Sequence, residues 1–127
     1  VGVDVRIMLP ARPDALFLRW VNESFFQDVL ASGIRIFLYK GGFLHAKVLV
    51  ADDEFSSVGS ANMDFRSFEN NFEANAYVYN QQTATDLRQL FLTAQEDCEE
   101  VSYDHWMQRP LWKRLLESHA RILSPLM

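Results

Sequence analysis

A histidine and a lysine interrupt an apolar segment near the middle of the chain. Residues 43–51 read Phe-Leu-His-Ala-Lys-Val-Leu-Val-Ala, a pattern that predicts a strand buried on both faces. An unpaired polar group in a buried strand costs about 1–3 kcal/mol, so His45 and Lys47 need a compensating role. Because residues two apart in a strand share a face, both side chains could approach one anion. The pair therefore predicts a small phosphate-binding site.

Further polar residues follow this pair at defined distances. Asp52 directly follows the segment, Gly59-Ser60-Ala61-Asn62 begins after six more residues, and Glu73 lies 28 positions after His45. Each feature alone has an ordinary structural explanation, either a basic residue at an exposed sheet margin or a turn beside a glycine. The complete set at this spacing is far more specific than its parts.

The spacing resembles the His-Lys-Asp motif of the phospholipase D superfamily. Longer segments are similar to bacterial cardiolipin synthases, and the resemblance covers essentially the whole chain. These segments are residues 2–10, 42–47, 60–68, 71–73 and 123–126. Two positions depart from that pattern, since Thr is common in place of Ser60 and an apolar residue is usual in place of Asn70. The resemblance identifies the chain as the C-terminal half of such an enzyme, with one of its two motifs.

The resemblance implies a reaction that proceeds through a phosphohistidine. In the superfamily, one His attacks the phosphodiester, and a second His from the other motif protonates the departing alcohol and later activates the acceptor. His45 is expected to be this acid/base, because the nucleophile usually belongs to the N-terminal motif. Lys47, Ser60 and Asn62 would bind the phosphate oxygens, and no metal or other cofactor is implied.

Two acidic residues complete the expected site. Superfamily members carry an acidic residue at the position of Glu73 that hydrogen-bonds the catalytic imidazole. Asp52 belongs to the motif, although its position at a strand end favours a role in bracing the next turn. The expected catalytic residues are His45, Lys47, Asp52, Asn62 and Glu73.

Other polar residues have weaker claims to a function. Arg66 could bind an anion, but an ion pair with a nearby carboxylate explains it equally well. His105 and His119 lie outside the motif, and Cys98 has no second cysteine for a disulfide, so structural roles are expected for all three.

Strands and helices alternate along the chain, which predicts an α/β fold. The expected elements are strands at 3–9, 34–39, 43–51, 55–58 and 73–79, and helices at 14–31, 83–101 and 110–123. A length of 127 residues fits one domain, residues 1–127. The resemblance implies an α/β/α sandwich with a mixed central sheet, forming one half of a pseudo-twofold enzyme.

Composition excludes some functions and leaves others open. Seventeen acidic against twelve basic residues give a net charge of −5, which argues against nucleic-acid binding and thus against a single-motif homodimeric nuclease. A non-catalytic scaffolding half would be expected to have lost His45, Lys47 or Asn62. No apolar run approaches the roughly 20 residues needed to cross a bilayer, and the chain enters a strand directly after Val1, so we expect a soluble fragment of a longer protein.

The resemblance implies transfer of a phosphatidyl group between two phosphatidylglycerol molecules, giving cardiolipin and glycerol. Hydrolysis or phosphatidylserine synthesis would use the same residues, so the motif alone does not separate them. The implied partners are phosphatidylglycerol and the N-terminal half with the other motif. Upstream segments would provide contact with the bacterial inner membrane, with the catalytic domain on its cytoplasmic side.

Overall fold

The computed structural model describes residues 2–12, 16–110 and 112, which form two compact units. One unit contains the described residues up to Leu44 together with those from Asp97 onward, and the other runs from His45 to Glu96. In chain order the elements are β1 (Arg6–Pro10), α1 (Leu16–Ala31), β2 (Arg35–Tyr39), β3 (Lys47–Ala51), β4 (Phe55–Gly59), α2 (Phe65–Glu69), β5 (Asn75–Tyr79), α3 (Gln81–Gln95), β6 (Cys98–Glu100) and α4 (Tyr103–Met107). The predicted α/β class is confirmed, whereas a single domain stays a prediction.

The first unit contains a mixed three-stranded sheet. β1 pairs in parallel with β2, the two are joined by α1, and β6 adds to the other edge of β2 in the antiparallel direction. Its core includes Ile36 and Phe37 of β2 and Phe26 of α1, and the Phe26 ring lies 5.0 Å from that of Trp106. As predicted, the helix ends before Gly33, which has a φ of 80° and donates its N–H to Leu30.

The helix predicted over 83–101 is wrong at both ends. Asn80 caps α3 by accepting the N–H of Thr83, so Thr83 is not the cap. The helix ends at Gln95, and β6 follows as a short strand paired with β2. Glu100 of β6 forms an ion pair with Arg35 at 2.8 Å. β2 and Arg35 lie about 60 residues before β6 in the sequence, so the local helical periodicity could not predict their pairing with it.

The second unit contains an antiparallel sheet in the order β3-β4-β5. The three strands follow one another along the chain, with α2 between β4 and β5, and α3 contacts all three strands. Ala84 of α3 and Ser56 of β4 are completely buried. Apart from Asp52, the predicted catalytic residues lie at or just before the start of β3, just after β4 and just before β5.

β3 differs from the strand predicted over residues 43–51. It begins only at Lys47, so His45 lies on the segment just before the strand. The expected burial on both faces is wrong, because Val48 and Leu49 are each 45% exposed. The remaining strand predictions agree with the structure to within a few residues. The helix predicted over 110–123 falls largely outside the described residues.

Candidate active site

The register of the second sheet brings the motif residues to one end of it. Lys47 pairs with Gly59, and Gly59 pairs with Asn75. The pairing continues one residue further, because the N–H of Ser60 donates to the carbonyl of Ala74 at 3.1 Å. His45 lies two residues before β3, Ser60 directly follows β4, and Glu73 lies two residues before β5, so all three lie at this end of the sheet.

Gly59 allows β4 and β5 to approach closely at this end of the sheet. A Cβ atom on Gly59 would overlap the Asn75 side chain and the carbonyl oxygen of Ala74, and it would lie 2.6 Å from the Asn75 Cα. Asn75 Oδ1 in turn accepts the N–H of Ala61 at 3.3 Å. The glycine therefore fixes the path of the chain as it leaves β4 toward Ser60 and Asn62.

A hydrogen-bonded cluster forms where the segment between β4 and β5 folds back on itself. The Ser67 hydroxyl accepts the backbone N–H of Asn62 at 3.1 Å and donates to Glu73 Oε1 at 3.2 Å. The N–H of Ser67 donates to Asp64 Oδ1 at 2.8 Å. Ser67 is only 7% exposed. Ser67 and its partners thus tie the start of this segment to its end.

The Glu73 carboxylate is surrounded by donors and by one positive charge. A hydrogen bond from the Ser60 hydroxyl lowers its pKa most, burial opposes this, and the Ser67 hydroxyl, the Asn71 amide and the charge on Lys47 lower it further. The Asn71 amide donates to Oε1 at 3.3 Å. Each of these interactions favours the ionised form, so Glu73 is a carboxylate at neutral pH.

The Lys47 ammonium is held beside the backbone of His45. Its Nζ donates to the carbonyl oxygen of His45 at 2.8 Å, and the residue is half-buried. An ammonium has three N–H donors, so one bond of this kind leaves capacity for an anion. Lys47 combines this capacity with a restrained position, which suits a phosphate-binding cation.

The structure gathers most, but not all, of the predicted site residues. The Ser60 hydroxyl and the charge of Lys47 both act on Glu73, and the Asn62 backbone is linked to Glu73 through Ser67. His45 is exposed beside Lys47. Glu73 accepts hydrogen bonds from Ser60, Ser67 and Asn71, and the expected bond from Glu73 to the His45 ring stays a prediction.

Asp52 lies at the opposite end of the hairpin. Asp52 and Asp53 have φ angles of 52° and 54°, and the N–H of Glu54 donates to the Ala51 carbonyl at 3.2 Å. Two left-handed residues closed by such a bond are typical of a type I′ turn. At roughly 3.3 Å per residue, β3 separates this turn from Lys47 by about 13 Å or more. The structure therefore does not bring Asp52 to the other predicted catalytic residues.

Two residues of the cluster escaped the sequence analysis as functional residues. Ser67 and Asn71 both donate to Glu73, yet they sit inside segments whose resemblance was noted without any role for these side chains. The signal available was their closeness in sequence to Glu73. For Arg66 and His105 the side chains are not described, and His119 lies outside the described residues.

The described part of the chain carries neither a metal-type cluster nor a spanning helix. Within it, no group of three or more His, Cys, Asp or Glu residues is placed to hold a metal ion. Its helices are all too short or too polar to traverse a bilayer.

The α/β fold and the His-x-Lys and Gly-Ser-x-Asn segments at one end of a sheet define a domain of the phospholipase D class. The chain belongs to the family of cardiolipin synthase PLD-like domains, whose pattern matches residues 1–94. More than half of the chain is covered by this match.

Individual relatives support the same assignment. The chain is 44% identical to a cardiolipin synthase of Clostridium perfringens over 126 residues and to the major cardiolipin synthase ClsA of Bacillus subtilis over 129 residues. It is also 44% identical to cardiolipin synthase 1 of Staphylococcus epidermidis over 126 residues. These matches cover 99% of the chain but only 26% of each relative. The chain thus spans about a quarter of the length of the curated relatives it matches.

Proposed function

We propose that the full-length protein transfers a phosphatidyl group from one phosphatidylglycerol to another, giving cardiolipin and glycerol. The observation that carries the proposal is the clustering of Lys47, Ser60 and Glu73 at one end of the sheet, in a chain whose relatives are named cardiolipin synthases. Phosphatidylglycerol as donor and as acceptor is inferred from the names of these relatives. Hydrolysis and transfer to serine remain alternative outcomes of the same chemistry.

The first step would form a phosphohistidine on the other motif. A histidine nitrogen of that motif attacks phosphorus, the bond from phosphorus to the glycerol oxygen breaks, and His45 gives its proton to the departing glycerol. In the second step, neutral His45 takes the proton of the acceptor hydroxyl, whose oxygen attacks phosphorus and displaces the first histidine. His45 gives up one proton in the first step and gains one from the acceptor in the second, so it ends the cycle protonated as it began.

The neighbouring residues would stabilise the charge that develops on the phosphate. Lys47 neutralises the non-bridging oxygens, while Ser60 and Asn62 donate hydrogen bonds to them. Glu73 carries a full negative charge near Lys47, so it suits the orientation and stabilisation of an imidazolium on His45. Asp52 takes no part in these steps in our proposal and instead forms the turn of the hairpin.

The architecture implied by the family completes the proposal. The chain would be the C-terminal half of an α/β/α sandwich enzyme with pseudo-twofold symmetry, and the remaining length would supply the other motif. The full-length protein would act at the bacterial inner membrane, with its catalytic part on the cytoplasmic side. Contact with the membrane would come from segments outside this chain.

Turnover of labelled phosphatidylglycerol by the full-length protein tests this function. We expect cardiolipin and glycerol in equal amounts, and we expect Lys47→Ala to lower kcat by about 10²-fold or more. Phosphatidic acid as the main lipid product would assign hydrolysis instead, and phosphatidylserine formed on addition of serine would assign the third outcome. No turnover of any phospholipid would contradict the proposal.

A further inference from the structure

Ser67 lies at the centre of the cluster, between Asn62 and Glu73. Its hydroxyl accepts the Asn62 N–H and donates to Glu73 Oε1, and its own N–H is held by Asp64 Oδ1. The side chain lies in the first turn of α2 and is 7% exposed. Ser67 therefore connects two residues that act in the proposed reaction, although they are eleven positions apart in sequence.

The chemistry of a hydroxyl suits this position. A serine has one O–H donor and two acceptor sites, and here it uses the donor on a carboxylate and an acceptor site on a backbone N–H. An apolar residue would leave the Asn62 N–H and one Glu73 oxygen without this partner. Because Asp64 also restrains the Ser67 backbone, the hydroxyl is fixed in place before any substrate binds.

We propose that Ser67 is a positioning residue that holds Asn62 against phosphate and keeps Glu73 oriented toward the acid/base histidine. The inference deepens the proposed function and rests on it for the roles of Asn62 and Glu73. Ser67 acts through these two residues and does not contact the reacting atoms. It therefore sets the geometry and the protonation of the site.

Ser56, a buried serine of the second sheet, provides a matched control. Ser56 of β4 is completely buried, and its Oγ has no hydrogen-bond partner among the described residues. Ser56→Ala removes the same hydroxyl from a similarly buried place, outside the cluster. Any effect of Ser67→Ala that Ser56→Ala does not share reports on the hydrogen bonds of Ser67.

Hydrogen exchange in the full-length protein tests the connection without requiring activity. In Ser67→Ala, the Asn62 N–H loses its acceptor, so its exchange should become about tenfold faster. Ser56→Ala should leave exchange at Asn62 unchanged, and Ser67→Thr, which keeps the hydroxyl, should restore most of the protection. Equal exchange at Asn62 in the parent and in Ser67→Ala would overturn the inference.

The dependence of kcat/KM on pH tests the consequence for the site. The groups that act on Glu73 are the hydroxyls of Ser60 and Ser67, the Asn71 amide and the charge of Lys47. Loss of the Ser67 donor favours protonated Glu73, so the acid limb of the profile should move to higher pH. At low pH the variant should fall about tenfold below the parent, and Ser67→Thr should recover most of this loss.

The outcomes separate this inference from the proposed function. If the parent turns over no phosphatidylglycerol, the proposed function fails, and exchange at Asn62 alone decides whether Ser67 holds the cluster. If the parent is active and Ser67→Ala behaves like Ser56→Ala, only the inference about Ser67 fails. Should Ser67→Ala not fold, Ser67→Cys keeps the shape with a weaker donor and should show the same changes at smaller amplitude.

Discussion

Opposite charges lie close together at the end of the second sheet where β3 begins. Lys47 lowers the pKa of Glu73, and three neutral donors act in the same direction. In the proposed reaction, such a site would keep one carboxylate ionised while the cation binds an anionic phosphate. The carboxylate would then stabilise positive charge on the imidazole of His45, as its proposed acid/base role requires.

The role of His45 can be separated from that of the nucleophile by changing the leaving group. In full-length His45→Ala, the other histidine can still attack a phosphodiester with an activated aryloxide leaving group, which needs no proton. General acid assistance is typically worth about 10²–10⁴-fold, so much of the first step should return with this substrate. Breakdown should stay slow because His45 also activates the acceptor.

The covalent adduct is the measurement for this prediction. Trapping after mixing, followed by mass spectrometry, should show a phosphohistidine on the other motif that accumulates in His45→Ala. Phosphate on His45 in the parent enzyme would make His45 the nucleophile. An inactive variant with no adduct on the activated substrate would lead to the same reassignment.

The sequence predicts which residues form the site, and that stays a prediction. Of the contacts among these residues, the structure shows that the Ser60 hydroxyl and the charge of Lys47 both act on Glu73. The hydroxyl of Ser67 was not predicted, because serine is common in turns and its role depends on two bonds across a folded loop. Such bonds leave no periodic pattern in the sequence.

The two ends of the β3–β4 hairpin have different backbone requirements. At one end Gly59 lies so close to Asn75 that a side chain would overlap it. At the other end, Asp52 and Asp53 form a left-handed turn, and Arg88 of α3 pairs with Asp53 at 3.0 Å. The close approach at Gly59 sets the path of the chain toward Ser60. The turn at Asp52 and Asp53 joins β3 to β4 and contacts α3 through the ion pair with Arg88.

Substitutions at the two ends should therefore have opposite effects. Asp52→Gly places the residue that best tolerates a positive φ in the turn, so thermal stability should stay the same or rise, by up to about 1 kcal/mol. Transferase activity should remain within about twofold of the parent, because the turn lies far from Lys47. Gly59→Ala should destabilise the protein by about 1–3 kcal/mol through overlap with Asn75.

Thermal unfolding and lipid turnover of both full-length variants test this contrast. A loss of about 10²-fold in kcat for Asp52→Gly at unchanged thermal stability would restore Asp52 to the catalytic residues. An unchanged midpoint of unfolding for Gly59→Ala would show that the strands can separate without cost.

Elements with a local signature were predicted well, and those made by distant partners were not. The apolar faces and turn residues of β2, β4 and α1 gave their positions to within about two residues. β6 was missed because Glu99 and Glu100 carry no strand pattern, and pairing with β2 together with ion pairs to Lys40 and Arg35 holds them there. The start of β3 was placed too early because the apolar run continues past the end of the pairing.

At the scale of the molecule, one motif supplies only part of a reaction that needs two histidines in our proposal. The chain accounts for 26% of the length of each relative compared above. Several large apolar side chains of the second unit are exposed in it, including Phe68 at 67% and Tyr77 at 65%. Exposed aromatic side chains of this kind favour contact with further protein or lipid.

We therefore expect residues 1–127 alone to lack transferase activity. With only His45 available, either the nucleophile or the acid/base is missing. Because the two histidines act together, loss of one of them should remove most of the catalytic rate. Labelled phosphatidylglycerol should give no cardiolipin with the isolated chain, and addition of the remaining part of the protein should restore turnover. The same addition with Lys47→Ala in this chain serves as the control and should not restore it.

Light scattering on the isolated chain checks for a second copy that could supply another His45. Turnover close to that of the full-length protein by a monomer would show that one motif suffices, and the two-histidine scheme would then be wrong.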